Sequence, residues 1–234
     1  MKLTEHVYQL SGVPYGTNSN SYAIDAGDCL ILIDAGFSAL QWDVMKESLR
    51  FWGLSGKPVT HVFFTHCHFD HAGNAYLAKQ EGMVLLAGES DAQGIETGDE
   101  RTIGYMFGRE FKPCSVDGIL ADGKEYTIGN VTVRAIAVPG HSRGSYMFQV
   151  TDGGRSCLFM GDFIALGPKA PEDDVVVSLA WTGGPDFDRD SYLASLEKAM
   201  KLEPSVLCPG HYYPYYGDSR RIFRMAYEMG LQEL

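Results

Sequence analysis

Residues 66–71 read His-Cys-His-Phe-Asp-His and follow, after Thr65, on the apolar run Val62-Phe63-Phe64. Three imidazoles and a carboxylate in six positions point to a first-row metal, because imidazole nitrogen and carboxylate oxygen together suit zinc, iron or manganese. The chain holds 7 histidines, and three of them fall in this stretch. The plainer reading is a polar loop at a strand end whose histidines only hydrogen-bond. It leaves unexplained why donors of the same kind recur downstream at His141, Asp162 and His211.

Around that stretch the pattern alternates short strands and helices. Residues 5–10 and 20–25 read as strands, with a turn rich in Gly, Pro, Asn and Ser between them. Residues 29–33 form an apolar run suited to a buried strand. Ser38 is placed to cap a helix reaching about Arg50, with Trp42, Met45, Leu49 and Trp52 on one face. A strand is expected over 59–64, a helix from near Asp70 to about Gln80, and another strand from Met83 to Leu86. That order sets the histidine-rich loop at a strand tip, where ligand sites of α/β sheets lie. Residues 88–118 read as an irregular insertion near the mouth of the site, with a helical piece from Asp99 to Phe107. Four strands follow at 125–128, 131–138, 145–150 and 157–160, with hairpin signals at Gly129-Asn130 and Asp152-Gly153-Gly154. Residues 163–187 are interrupted at Gly167-Pro168, Pro171, Gly183-Gly184 and Pro185. A helix over 190–201, a strand over 205–208 and a closing helix over 219–229 complete the chain. No repeat or low-complexity linker marks a boundary, so one α/β domain is expected over residues 1–234.

The stretch HCHFDH resembles the HxHxDH motif of the metallo-β-lactamase superfamily, and further pieces of that pattern stand in order. Leu32-Ile33-Asp34-Ala35-Gly36 comes before it; PGHSRGS with His141, MGD with Asp162 and CPGH with His211 come after. Together they cover the chain from about Asn20 to His211. The resemblance implies an αββα sandwich of two mixed β-sheets flanked by helices. It also implies that His66, His68 and His141 hold one ion, that Asp70, His71 and His211 hold another, and that Asp162 bridges them. Seven donors exceed what one four-coordinate zinc takes. Two divalent ions are therefore the expected cofactors, zinc first, with iron or manganese as alternatives. In two-metal logic a water between the ions becomes a hydroxide near neutral pH and attacks a carbonyl carbon, one ion stabilising the oxyanion and the other the leaving group. Asp70 is expected to help orient that nucleophile.

Other residues near these motifs carry weaker signals. Cys67 and Cys208 read as small core residues and His61 as structural, while His6 is uninformative. Tyr212, Tyr213, Tyr215 and Tyr216 crowd the loop after His211, where one could donate a hydrogen bond to an oxyanion and aromatic packing is the plainer reading. Arg143 could meet an anionic group, although a solvated arginine is the simpler expectation. Phe163, Trp181 and Phe187 line an apolar mouth or belong to the core.

Departures from neighbouring groups narrow the expected chemistry. Only residues 212–234 follow His211, so the helical domain of the glyoxalase II group is not expected. Phe163-Ile164-Ala165-Leu166-Gly167 stands where that group and the persulfide dioxygenases carry a Gly-Cys-Gly-Arg-like piece. Ala165 takes the place of a tyrosine frequent in quorum-quenching lactonases, and His68 the place of the flavodiiron glutamate. The expected activity is metal-dependent hydrolysis of a small ester, thioester or lactone. The alternatives are a mononuclear iron oxygenase on the same ligands, a phosphodiesterase, or a protein that binds a small molecule without turnover. A net charge of −11 and a pI near 5.0 lack the basic footprint of a nucleic-acid binder, so a small-molecule substrate is expected and nucleic acid is not. The start MKLTEHVYQL has no apolar segment of a signal peptide, and no run suits a bilayer, so no membrane partner is expected. Five widely spaced cysteines imply no disulfide framework. A cytoplasmic location is the default, and a homo-oligomer is left open.

Overall fold

The computed structural model describes residues 1–169 and 174–234. Two sheets lie face to face, and the alternation of side chains along their strands explains why. In β3 (Leu30–Ile33), Ile31 and Ile33 point to one apolar cluster, and Leu30 and Leu32 to another. A strand apolar on both faces suits a sheet covered on both sides.

The first sheet has six strands in the order β1 (Val7–Gln9), β2 (Tyr22–Asp25), β3, β4 (Val59–Phe63), β5 (Val84–Ala87) and β6 (Gly118–Ile119). Its first three strands are antiparallel, and β3 to β6 run parallel. Parallel neighbours need crossovers, which here are α1 (Ala39–Phe51), the pair α2 (Phe69–Ala72) and α3 (Ala75–Gln80), and α4 (Glu89–Thr97). The side chain of Ser38 accepts from the Gln41 N–H at the start of α1. Trp42, Met45 and Leu49 of that helix are buried against Leu32 and Val62.

The second sheet has five strands, β7 (Glu125–Ile128), β8 (Val131–Ala137), β9 (Tyr146–Asp152), β10 (Arg155–Gly161) and, after a separate hairpin and α5 (Arg189–Ala199), β13 (Val206–Pro209). The hairpin is β11 (Ile164–Lys169) with β12 (Asp174–Leu179). α6 (Ser219–Glu233) closes the chain. Between the sheets, Tyr22, Ile31, Ile33 and Phe63 meet Val133, Phe148, Phe159 and Val206. Each large apolar side chain fully buried there contributes about 1.5–3 kcal/mol by transfer from water. Outside the second sheet, Met147, Leu158 and Leu207 meet Tyr192 and Leu196 of α5 and Ile222 and Phe223 of α6. The layers therefore run helices, sheet, sheet, helices, as expected.

The structure departs from the sequence expectations in four places. The helix expected from Asp70 to Gln80 is two helices, broken at Asn74 (φ −96°, ψ 12°), whose side-chain amide donates to the Ala35 and Ser38 carbonyls; Gly73 beside it permits close approach, since a Cβ there would meet the Phe37 Cβ at 2.8 Å. Residues 89–97 are helical, although 88–118 read as irregular. Residues 100–102 and 104–107 form two tight 3₁₀ turns instead of one helix, separated by Ile103 at φ 49°. Residues 163–187, read as interrupted, contain the hairpin. Pro168 fits β11 because that strand belongs to a two-stranded ladder with β12, touched on its other side by a single bridge from Leu166 to Tyr212, so it is an edge strand that tolerates a proline. The expected break at Pro171 lies outside the described residues. Among the described residues no helix is long and apolar enough to cross a membrane.

Candidate metal centre

All seven sequence-predicted donors gather at one end of the sandwich, each just past the carboxyl end of a strand or on the loop it feeds. β4 delivers His66, His68, Asp70 and His71; β8, β10 and β13 deliver His141, Asp162 and His211. They fall into two groups whose donor atoms lie within 4.8 Å of one another: His66, His68 and His141, and then Asp70, His71, Asp162 and His211.

In the first group the three Nε2 atoms are buried and have no hydrogen-bond partner. Buried polar atoms are ordinarily paired, so three orphans converging on one point fit a cation held by lone pairs. The Nδ1 atoms of His66 and His141 help to fix their tautomers. The Trp181 carbonyl accepts from His141 Nδ1 at 3.1 Å, which leaves Nε2 without a proton and facing the site. His66 Nδ1 lies 3.0 Å from Thr65 Oγ1, which donates to Asp34 Oδ2 at 2.7 Å. Burial, reinforced by the neighbouring imidazoles, holds His66 well below the usual histidine range and brings His68 to about 3. His141 is lowered by burial as well. All three are thus neutral ligands at neutral pH, as metal binding requires.

The second group is an ionic cluster. His211 Nε2 lies 3.1 Å from Asp70 Oδ2 and 3.2 Å from Asp162 Oδ2. His71 Nε2 lies 3.0 Å from Asp162 Oδ1 and 3.5 Å from Asp70 Oδ2, and its Nδ1 donates to Asp34 Oδ2 at 3.0 Å. Burial disfavours the charged forms here, but the facing carboxylates outweigh it: His71 is pushed well above the usual range and His211 to about 10. Burial likewise opposes ionisation of Asp70 and Asp162, and the two imidazoles overcome it, so both carboxyls sit below their ordinary values. Protons hold this arrangement together where a divalent cation would serve the same electrostatic purpose.

Asp162, a member of the second group, also reaches toward the first. Its Oδ2 lies 3.9 Å from His66 Nε2 and 3.8 Å from His141 Nε2, besides its contact with His211. Two glycines permit this crowding. A Cβ on Gly210 would stand 2.4 Å from Asp162 Oδ1, and one on Gly161, at φ 52°, would stand 2.5 Å from Thr65 Oγ1. The donor set and the orphaned atoms therefore fit divalent metal. Asp162 and His211, with side chains 16% and 23% exposed, are the members that reach solvent, so the cluster opens on their side.

Several residues that position the cluster were not apparent from sequence. Asp34 is a non-glycine residue at φ 59° whose carboxylate gathers Thr65 N–H, Thr65 Oγ1 and His71 Nδ1. It was read only as part of a motif. Asp91, buried on α4, accepts from Cys67 N–H at 2.9 Å, Ser142 Oγ at 2.7 Å and Gly144 N–H at 2.9 Å, so it ties the His66 loop to the His141 loop. Asn20 donates to the Pro209 carbonyl at 2.8 Å, and its N–H donates to the Gly210 carbonyl at 2.7 Å, which fastens the His211 loop to the first sheet. Ser19 Oγ donates to the Asp70 carbonyl. Cys67 and Cys208 are buried in apolar clusters, as expected. Arg143 is exposed, Phe163 is buried, and Tyr212 and Trp181 are exposed beside the cluster.

Comparison with known proteins agrees with this geometry. A family profile described as the metallo-beta-lactamase superfamily matches residues 14–211. A Methanocaldococcus jannaschii protein named as a probable metallo-hydrolase is 31% identical over 140 residues, covering 59% of this chain and 65% of its own. The human acyl-coenzyme A thioesterase MBLAC2 is 27% identical over 182 residues, covering 69% of this chain and 58% of its own. The chain thus spans less than two thirds of either relative. In fold, it matches a subclass B3 metallo-beta-lactamase of Bradyrhizobium japonicum at a TM-score of 0.76, with 24% identity over 100% of this chain and 92% of that one. Profile, fold and donor cluster coincide over the same residues, and the chain belongs to the metallo-beta-lactamase superfamily.

Proposed function

We propose that the chain hydrolyses a small thioester or ester at a dinuclear centre. His66, His68 and His141 would hold one divalent ion and Asp70, His71 and His211 the other, with the Asp162 carboxylate shared between them. The observation that carries this reading is the position of Asp162 Oδ2, within 3.9 Å of Nε2 atoms from both groups. One carboxylate shared by two nests of donors suits a pair of ions better than one. Ions bound there supply Lewis acidity and a water whose pKa falls to near neutrality, which is the chemistry a carbonyl hydrolase needs. The protein's own part is to hold those donors rigidly. Asp34 orients His71 directly and His66 through Thr65, and the Trp181 carbonyl orients His141. Asp70, whose Oδ2 also receives the Asn18 amide at 3.5 Å, is placed to orient the attacking water. The name of the human thioesterase relative favours thioesters over lactones within the carbonyl class, and the absent tyrosine at Ala165 points the same way. Zinc is the expected metal for a redox-neutral hydrolysis.

Elemental analysis of protein purified without chelator tests the ligand set, with two ions per chain expected. A panel of short acyl thioesters, lactones and bis-aryl phosphodiesters tests the reaction. Asp162→Ala is expected to lose metal and hydrolysis together. A single iron with oxygen consumption would replace this reading with an oxygenase. Phosphodiester turnover far above every carbonyl substrate would replace it with a phosphodiesterase.

A further inference from the structure

Trp181 stands beside the first group with its ring centroid 6.2 Å from that of His68, nearly edge-on at 71°, and is 41% exposed. An indole left half in water next to a reactive cluster is a surface that an apolar ligand can cover, and a rigid ring does so at little entropic cost. The ring is not loose. Gly183 lies against it so closely that a Cβ there would stand 2.2 Å from Trp181 Cζ2. The next residue, Gly184, is open: a Cβ there would stand 3.5 Å from His68 Nε2 and 3.6 Å from the His141 carbonyl, in ordinary contact. Any side chain at 184 would therefore start beside the metal-facing nitrogen of His68. The segment is tied to the loop that carries His141. Asp186 Oδ2 accepts from the Arg143 N–H at 3.0 Å, and the Asp188 N–H donates to the Gly140 carbonyl at 2.9 Å.

We propose that residues 181–184 form the specificity-determining wall of the site. The Trp181 indole packs against the apolar acyl part of the substrate next to His68, and the missing side chain at Gly184 leaves the volume that this acyl group fills. The wall selects a flat or extended apolar acyl group over acetyl. This rests on the carbonyl-substrate reading above, so its test includes a binding measurement that does not need turnover.

Acetyl, hexanoyl and benzoyl thioesters of one small thiol would be compared in wild type, Trp181→Ala, Trp181→Phe and Gly184→Val. In Trp181→Ala the ratio of kcat/KM for benzoyl over acetyl should fall about tenfold, chiefly through KM, in the range that a hydrophobic pocket contact provides. Trp181→Phe should recover most of that ratio, and Gly184→Val should depress it. Metal content of Trp181→Ala should equal that of wild type, because His141 is held by the main-chain carbonyl of residue 181. Separately, an unreactive benzyl thioether should quench tryptophan fluorescence in wild type and not in Trp181→Phe, which keeps Trp42 and Trp52. Equal loss on all three acyl groups, or a quench that survives in Trp181→Phe, would overturn the wall. Failure of wild type to hydrolyse any carbonyl substrate would instead reject the reaction class, with the quench alone then deciding on the wall.

Discussion

At the scale of single residues, Asp91 shows how far the cluster depends on groups that never face it. Its carboxylate receives three donors, two main-chain N–H groups and one hydroxyl, from the loops holding His66, His68 and His141. Asn can accept on one atom only, and its amide would turn a donor toward a donor. Asp91→Asn should therefore weaken metal affinity about 10–100-fold, the range typical when the support of a ligand is removed. Competition with a chromogenic chelator measures it, and an unchanged affinity would show that the two loops hold themselves. Burial also pushes the Asp91 carboxyl up to about 6, against an unfolded value near 4. Between those values the folded chain binds more protons than the unfolded one, so stability falls as pH rises. The stability of wild type relative to Asp91→Asn should accordingly drop by about 2 kcal/mol from pH 4 to pH 7, read by urea unfolding of chelated protein; a difference that grew with pH would reverse the assignment. The donors themselves were legible in sequence because metal chemistry needs His and Asp at close spacing in HCHFDH. Asp91 was not, because it lies in the stretch 88–118 that reads as irregular, where a lone carboxylate carries no spacing signal.

At the scale of elements, what sequence conveyed well were strands ended by turn chemistry. Gly129-Asn130 joins Ile128 to Val131, and Gly153-Gly154 joins Asp152 to Arg155, in the registers that such turns allow. Sequence failed where tertiary contacts override local signals. Helix α4 has no side-chain cap and carries Gly94, yet it forms because Gly94 lets it lie on Cys67, where a Cβ would already stand 3.0 Å from Sγ. The β11–β12 hairpin was hidden by Gly167-Pro168, and it is held partly from outside. Tyr192 of α5, fully buried, donates to the Phe163 carbonyl and accepts from the Ala180 N–H at 2.9 Å, so one phenol clamps both ends of the hairpin. Tyr192→Phe leaves a buried N–H and a buried carbonyl without this partner, which should cost about 1–3 kcal/mol. Urea unfolding measures it. A cost below about 0.5 kcal/mol, within the range of inert surface changes, would mean that the hairpin needs no clamp.

At the scale of the whole molecule, the centre is where the two halves of the chain meet. His66 and His68 come from the loop after β4 in the first sheet and Asp70 and His71 from α2 that follows it, while His141, Asp162 and His211 follow strands of the second. The sandwich interior joins those sheets chiefly by apolar contact at its middle, with Phe63 against Phe148 at 5.3 Å between ring centroids. At the open end the joint is instead electrostatic: Asp162 and His211 of one half against His71 and Asp70 of the other. The order of motifs along the chain made this assembly legible, since donors that far apart in sequence converge only if two strand sets face each other. The latches between the halves, Asn20 above all, were not, because a lone asparagine carries no spacing signal. A ligand that binds only the assembled site stabilises the fold by RT ln(1 + [L]/Kd), about 4 kcal/mol at a thousandfold excess over Kd. For a chain of 234 residues, each kcal/mol moves Tm by about 2–4 °C. Stripping the ions with a chelator should thus lower Tm by about 10 °C, and zinc added back in steps should raise it progressively. The same treatment of Asp162→Ala should move Tm far less, since the bridge between the groups is gone. A wild-type Tm indifferent to chelator and zinc would mean that the halves are joined by their apolar interface and protonated ion pairs alone, and that the seven donors do not form a metal centre.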